Sequence, residues 1–154
     1  MERILSRGMK YQIHTGVANI GYTSPAKLKN AVERHPEVPF IFLHTYPYTD
    51  EALTMLWFYP NVYLDLSWLQ LLSPAILRDT LRKALGLTPM NRIFLSTDAT
   101  CPEEQYGTAV GIRRVLAQVL EEKIALDGWD KETALAVAHA LLHKNAEEFY
   151  GMQP

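Results

Sequence analysis

Pro39-Phe40-Ile41-Phe42-Leu43-His44 is the stretch that decides the fold. Four consecutive apolar residues follow the proline without any polar alternation. A strand of that kind is covered on both faces, as in a parallel sheet with helices packed against it. It ends in an imidazole, a group with chemistry of its own.

Working outward, the same strand-then-helix unit recurs. Upstream, Met9 to Thr15 (MKYQIHT) reads as a strand entered through Gly8, and Glu2 to Arg7 as the end of a preceding helix. Ser24-Pro25 opens a helix that runs to His35 and stops before Pro36, with Ser24 as N-cap and Pro25 at the first helical position. Downstream, Thr49-Asp50-Glu51 starts a helix ended by Pro60, with its carboxylates at the positive end of the dipole. Val62 to Ser67 (VYLDLS) is the third strand. Ser73-Pro74 repeats the helix start, and Gly86 ends that helix. Arg92 to Thr97 (RIFLST) is the fourth strand. A long helix follows from Glu103 to Leu126 and breaks at Asp127-Gly128. Asp130 caps another helix to Lys144, and a last turn from Asn145 to Tyr150 closes at Gly151. Such alternation predicts an α/β fold of four parallel β-α units with right-handed crossovers, followed by C-terminal helices.

Composition narrows the function. Fifteen Lys and Arg are interleaved with 17 Asp and Glu, for a net charge of −2. No basic face for phosphates is expected, which argues against nucleic-acid binding. The apolar region from Leu53 to Leu72 is interrupted by Pro60, Asn61 and Asp65, so no membrane span is expected. Met1 to Gly8 lacks the apolar core of a signal peptide. A single cysteine fits a reducing, cytoplasmic setting. The 154 residues form one domain, 1–154, yet a complete (β/α)8 barrel needs about 250.

In parallel α/β folds the chemistry gathers where strands end. Here the strands end in His14-Thr15, His44-Thr45, Asp65-Leu66-Ser67 and Ser96-Thr97-Asp98. Two imidazoles and a carboxylate on one rim are the usual donors to a borderline divalent metal. Asp65 lies inside its strand and is expected to cap a neighbouring loop. Tyr46 and Trp68 follow strand ends and are expected to line the substrate pocket. Trp57, Phe58 and Tyr59 read as core or interface. His139 and His143 share a helix face without the Glu of a His-Glu-x-x-His motif, so a structural role is expected.

The stretches YQIHTG (11–16), FIFLHTYPY (40–48), NVYLDLS (61–67), RIFLSTDA (92–99) and NAEEFYG (145–151) together resemble the C-terminal half of the metal-dependent amidohydrolase superfamily. The likeness is greatest to its amidohydrolase-related, aminocarboxymuconate-semialdehyde-decarboxylase-like group. The resemblance implies strands five to eight of a TIM (β/α)8 barrel, so that the domain is a half barrel. It implies that His14 and Asp98 bind a divalent metal, zinc being the expected ion. It implies that His44 and Asp98 are catalytic, with His44 polarising substrate or shuttling a proton. NAEEFYG resembles the helix that closes the barrel. The implied activity is metal-dependent hydrolysis of a small carboxylate, amide or lactone. The alternatives are decarboxylation within the same superfamily, or a non-catalytic half barrel that serves as a scaffold.

The family's first-strand His-x-His pair occurs nowhere in the 154 residues. It is expected upstream of residue 1. A homo-oligomer or a missing N-terminal half is therefore the expected partner.

Overall fold

The computed structural model describes residues 9–17 and 19–152. Four strands form one parallel sheet in the order β1-β2-β3-β4: β1 Tyr11–Thr15, β2 Phe40–His44, β3 Val62–Asp65 and β4 Ile93–Phe94. The helices are α1 Lys29–Arg34, α2 Thr49–Phe58, α3 Leu69–Leu72, α4 Pro74–Leu87, α5 Pro102–Asp127, α6 Lys131–His139 and α7 Asn145–Tyr150. The expected α/β architecture of four parallel units is the one observed. The helix end expected at Glu2–Arg7 lies outside the described residues.

The unbroken apolar run of β2 has two destinations. Phe40 and Phe42 are fully buried in the helix-side core with Val62, Leu64, Ile93, Leu53, Leu56, Leu81 and Leu116. Ile41 is equally buried but lies on the opposite, inner face, in register with Gln12 of β1 and Tyr63 of β3. Burying each such side chain contributes about 1.5–3 kcal/mol. The inner face is covered at one end by α7. Phe149 lies 4.4 Å from Tyr63 and 5.3 Å from Phe94, ring centre to ring centre, while Tyr63 and Phe94 stack at 5.9 Å. Gln12 Nε2 donates to Tyr150 Oη at 2.6 Å, and the Lys10 ammonium sits over the Phe149 ring. Helix α7 thus shields part of the inner face of the sheet.

Several boundaries differ from the sequence reading. Ser24 caps nothing. Its hydroxyl donates to the Glu51 carboxylate at the start of α2, and Pro25–Leu28 form a 3-10 turn before α1. Ser73 does cap α4, its Oγ accepting from Ala75 N at 3.2 Å. The fourth strand is cut to two residues. Arg92 sits in a 3-10 turn, and Leu95 N turns away to the carbonyl of Leu141 at 3.2 Å. That carbonyl belongs to a π-helical turn, Ala140–Lys144, within a stretch that reads in sequence as one continuous helix. Trp57 and Phe58 are 53% and 69% exposed, so neither is core.

One device recurs at the rim where strands begin. Asn61, just before β3, donates through Nδ2 to the carbonyls of Val32, His35 and Val38 at 3.0–3.3 Å. Arg92, just before β4, donates to Leu56, Tyr59 and Val62 at 2.6–2.8 Å. Asn145, at the start of α7, donates to Met90 and Ile93 at 2.8 and 2.9 Å. In each case a donor from the next unit collects the carbonyls around the entry of the previous strand. Buried carbonyls need such partners. Asn61→Ala is expected to lower the unfolding free energy by about 1–3 kcal/mol, the cost of leaving buried groups unpaired. Urea denaturation of the variant against wild type checks this.

Candidate active site

Because all four strands run the same way, His14, His44, Ser67 and Asp98 arrive at one rim. The loop after β1 docks on the loop after β2. Thr15 Oγ1 donates to Leu43 O at 2.8 Å, Thr45 N to Thr15 O at 3.3 Å and Val17 N to Tyr46 O at 2.7 Å. Gly16 has φ +66°, and a Cβ there would collide with the Tyr46 carbonyl. The close approach therefore requires glycine. It sets His14 beside His44, with ring centroids 4.4 Å apart.

His44 is 1% exposed. Its Nδ1 lies 3.0 Å from Ser67 Oγ and 3.3 Å from the Ser67 carbonyl. A protonated Nδ1 would donate to the carbonyl and leave the Nε2 lone pair facing the site, whereas a bare Nδ1 would accept from the Ser67 hydroxyl. Asp98 Oδ2 lies 3.7 Å from Nε2, too long for a direct hydrogen bond. Trp68 lies over His44 at 4.9 Å and donates from Nε1 to the Asp98 carbonyl at 2.9 Å. Asp65, half-buried, accepts from Ser67 N at 3.0 Å and from Ser96 Oγ at 2.7 and 2.9 Å.

This rim is conformationally costly. His44, Thr45, Trp68 and Asp98 have φ of 68°, 69°, 64° and 51°. Left-handed backbone at non-glycine residues costs on the order of 1 kcal/mol or more each and concentrates at functional sites. Burial, and then the neighbouring His14, hold the His44 imidazole below its ordinary value, against the opposing pull of Ser67 and Asp98. Burial pushes the Asp65 carboxyl up, with Asp98 adding to the rise, against the hydrogen bonds from Ser96 and Ser67.

The structure brings together His14, His44, Trp68 and Asp98. It does not bring Tyr46 to them. That side chain lines a separate recess of about 180 Å³ with Pro47, Ile76, Thr80 and Lys83. Another recess, of about 230 Å³, adjoins Asp98 and is lined by Thr97, Gln105, Ile112 and Arg113. Ser67 and Ser96 escaped the sequence reading as partners. The Asp-x-Ser spacing in VYLDLS, which permits an Asx turn, is the signal that points to Ser67. The cap expected of Asp65 is that turn. His139 and His143 pack edge to face at 3.9 Å on the exposed side of the terminal helices, and His143 faces Glu147 at 3.4 Å.

The donor types at the rim suit a divalent metal, since imidazole and carboxylate are what such ions take. The number of converging donors does not suffice. Among the described residues no set of three His, Cys, Asp or Glu converges closely enough to hold an ion.

Four parallel β-α units carry imidazoles and a carboxylate at their strand ends, on one rim of the sheet. The family model described as Amidohydrolase matches residues 1–152, and the chain belongs to that family. The chain is 34% identical over 149 residues to protein fluG of Emericella nidulans, covering 90% of this chain and 17% of that protein. A candidate metal-dependent hydrolase from Lactobacillus casei superposes with a TM-score of 0.83 at 25% identity, over 96% of this chain and 40% of its own. A candidate 2-pyrone-4,6-dicarboxylic acid hydrolase from Pseudomonas putida shares the fold, with a TM-score of 0.60 at 21% identity, over 99% of this chain and 55% of its own. The chain thus spans well under half the length of the first two. Among the described residues no helix is long and apolar enough to cross a membrane.

Gly16→Ala is expected to destabilise the chain by about 1–3 kcal/mol, through forced left-handed backbone and collision with Tyr46. Thermal or urea unfolding measures this. A pH effect follows from His44. The unfolded chain takes up a proton near 6.5, above the folded value. Its contribution to stability is full above that pH and is lost as pH falls toward and through the depressed folded value. Denaturation at about pH 7.5 and about pH 5 should show wild type losing more stability on acidification than His44→Gln.

Proposed function

We propose that this chain is the C-terminal half, strands five to eight, of an amidohydrolase barrel of the aminocarboxymuconate-semialdehyde-decarboxylase-like group. The intact site would hydrolyse a small carboxylate, amide or lactone with the help of a divalent metal, zinc being the expected ion. The observation that carries the reading is the juxtaposition of His14, His44 and Asp98 on one rim of a parallel sheet, over a site they only partly enclose.

His14 and Asp98 would hold the metal, together with donors from the N-terminal half. When bound, such a metal polarises a carbonyl and acidifies a water molecule. The chain's own residues do the rest. His44 offers its Nε2 lone pair to a proton, with Nδ1 anchored on Ser67. Burial keeps that imidazole neutral at physiological pH, the form a general base needs. Asp98, 54% exposed, can accept a proton from the same side. Trp68 shields one face of the His44 ring from water.

The test supplies the chain with its N-terminal half, as one polypeptide or as two. His14→Ala and Asp98→Ala should each lower bound zinc, read by elemental analysis. His44→Gln should keep the metal and lose roughly 10²–10⁴ in turnover of a lactone or amide substrate. Unchanged metal content in both ligand variants would sink the assignment.

A further inference from the structure

The segment Asp65–Trp68 touches both halves of the candidate site. From Asp65 the path runs to Ser67 N at 3.0 Å, and from Ser67 to His44 Nδ1 at 3.0 and 3.3 Å. A second path runs from Asp65 through Ser96 Oγ, at 2.7 and 2.9 Å, to the strand end that carries Asp98 two residues later. Trp68 closes the bracket by donating to the Asp98 carbonyl. Ser67 and His44 are each 1% exposed, so their geometry is set by these contacts and not by solvent.

An aspartate is a costly choice for this place. Its carboxylate is half-buried, Asp98 repels it, and no cation pairs with it among the described residues. Capping one turn does not require that cost, because a serine or asparagine also makes such turns. Here Oδ1 accepts from Ser67 N of β3's own turn and from Ser96 Oγ just after β4, and Oδ2 takes a further contact from Ser96, so that one group joins the two strand ends.

We propose that Asp65 is a positioning residue that fixes the tautomer of His44, holding Ser67 so that its carbonyl keeps the proton on Nδ1, and that ties this arrangement to the Asp98 loop through Ser96. The proposal rests on the reading of His44 as the proton acceptor of the site. An imidazole flipped, or protonated on Nε2, would present a hydrogen where the site needs a lone pair.

The experiment records the ¹⁵N resonances of the His44 ring in the full 154-residue chain, without metal or substrate, at one pH well above the imidazole range. Bare and protonated ring nitrogens resonate far apart, so the tautomer is read directly. Wild type should show protonated Nδ1 and bare Nε2. Asp65→Ala should lose that signature, the two nitrogens moving toward averaged positions, and Asp65→Asn should restore it because its Oδ1 can still accept from Ser67 N. Should Asp65→Ala fail to unfold cooperatively, Ser96→Ala decides between the outcomes in its place, since it removes only the bond that pins the carboxylate; a shift in the same direction is expected. Wild type protonated on Nε2, a folded Asp65→Ala with unchanged His44 nitrogens, Asp65→Asn that fails to restore the signature, or Ser96→Ala without any shift would each overturn the proposal. Because the readout involves neither metal nor turnover, its failure is separate from failure of the ligand variants above.

Discussion

Burying Phe40 and Phe42 against the helices and Ile41 against the inner face clamps β2 from both sides, and the neighbouring strands take their register from it. Thr15 pairs with His44, Phe40 with Val62 and Leu43 with Asp65. A slip by one residue would exchange the faces of every side chain. Two phenyl rings would meet the space shaped for Ile41, and His44 would leave its contacts with Ser67 and His14. Core packing and site geometry are therefore consequences of the same clamp.

The site sits at the opposite end of the sheet from the Asn61, Arg92 and Asn145 bonds. At the strand beginnings, polar side chains satisfy backbone carbonyls and stabilise the fold. At the strand ends, residues are held in left-handed backbone around an imidazole and a carboxylate 3.7 Å apart. The first end supplies the stability that the second end consumes. The Gly16 approach to Tyr46 is the hinge between the two, since it is a packing contact whose effect is to set one imidazole beside another.

Much of this was legible in the residues. Proline, serine and glycine punctuation marked most of the helices, and uninterrupted apolar runs marked the central strands. The strand-end positions of His14, His44 and Asp98 followed from the parallel alternation alone. What the sequence hid were effects of tertiary contact. Ser24 reads as a cap because of its neighbours in sequence, but Glu51 lies within reach and takes its hydroxyl. RIFLST reads as a six-residue strand, but Arg92 serves the carbonyls of another unit and Leu95 turns to the π-helical turn. Tyr46 follows a strand end as a pocket residue would, yet the tight turn after His44 directs it elsewhere. Nothing in the local pattern marks Ser96 as the partner of Asp65, 31 residues away.

The order of the rim bonds gives the chain a direction. Asn61 completes the entry to β2, Arg92 the entry to β3 and Asn145 the entry to β4. Each unit is finished only by its successor. During synthesis, a ribosome releasing this chain delivers β2, β3 and β4 each before the side chain that secures it, and β4 stays unsecured until α7 has emerged. Loss of α7 removes both the last of them and the aromatic cover of the inner face.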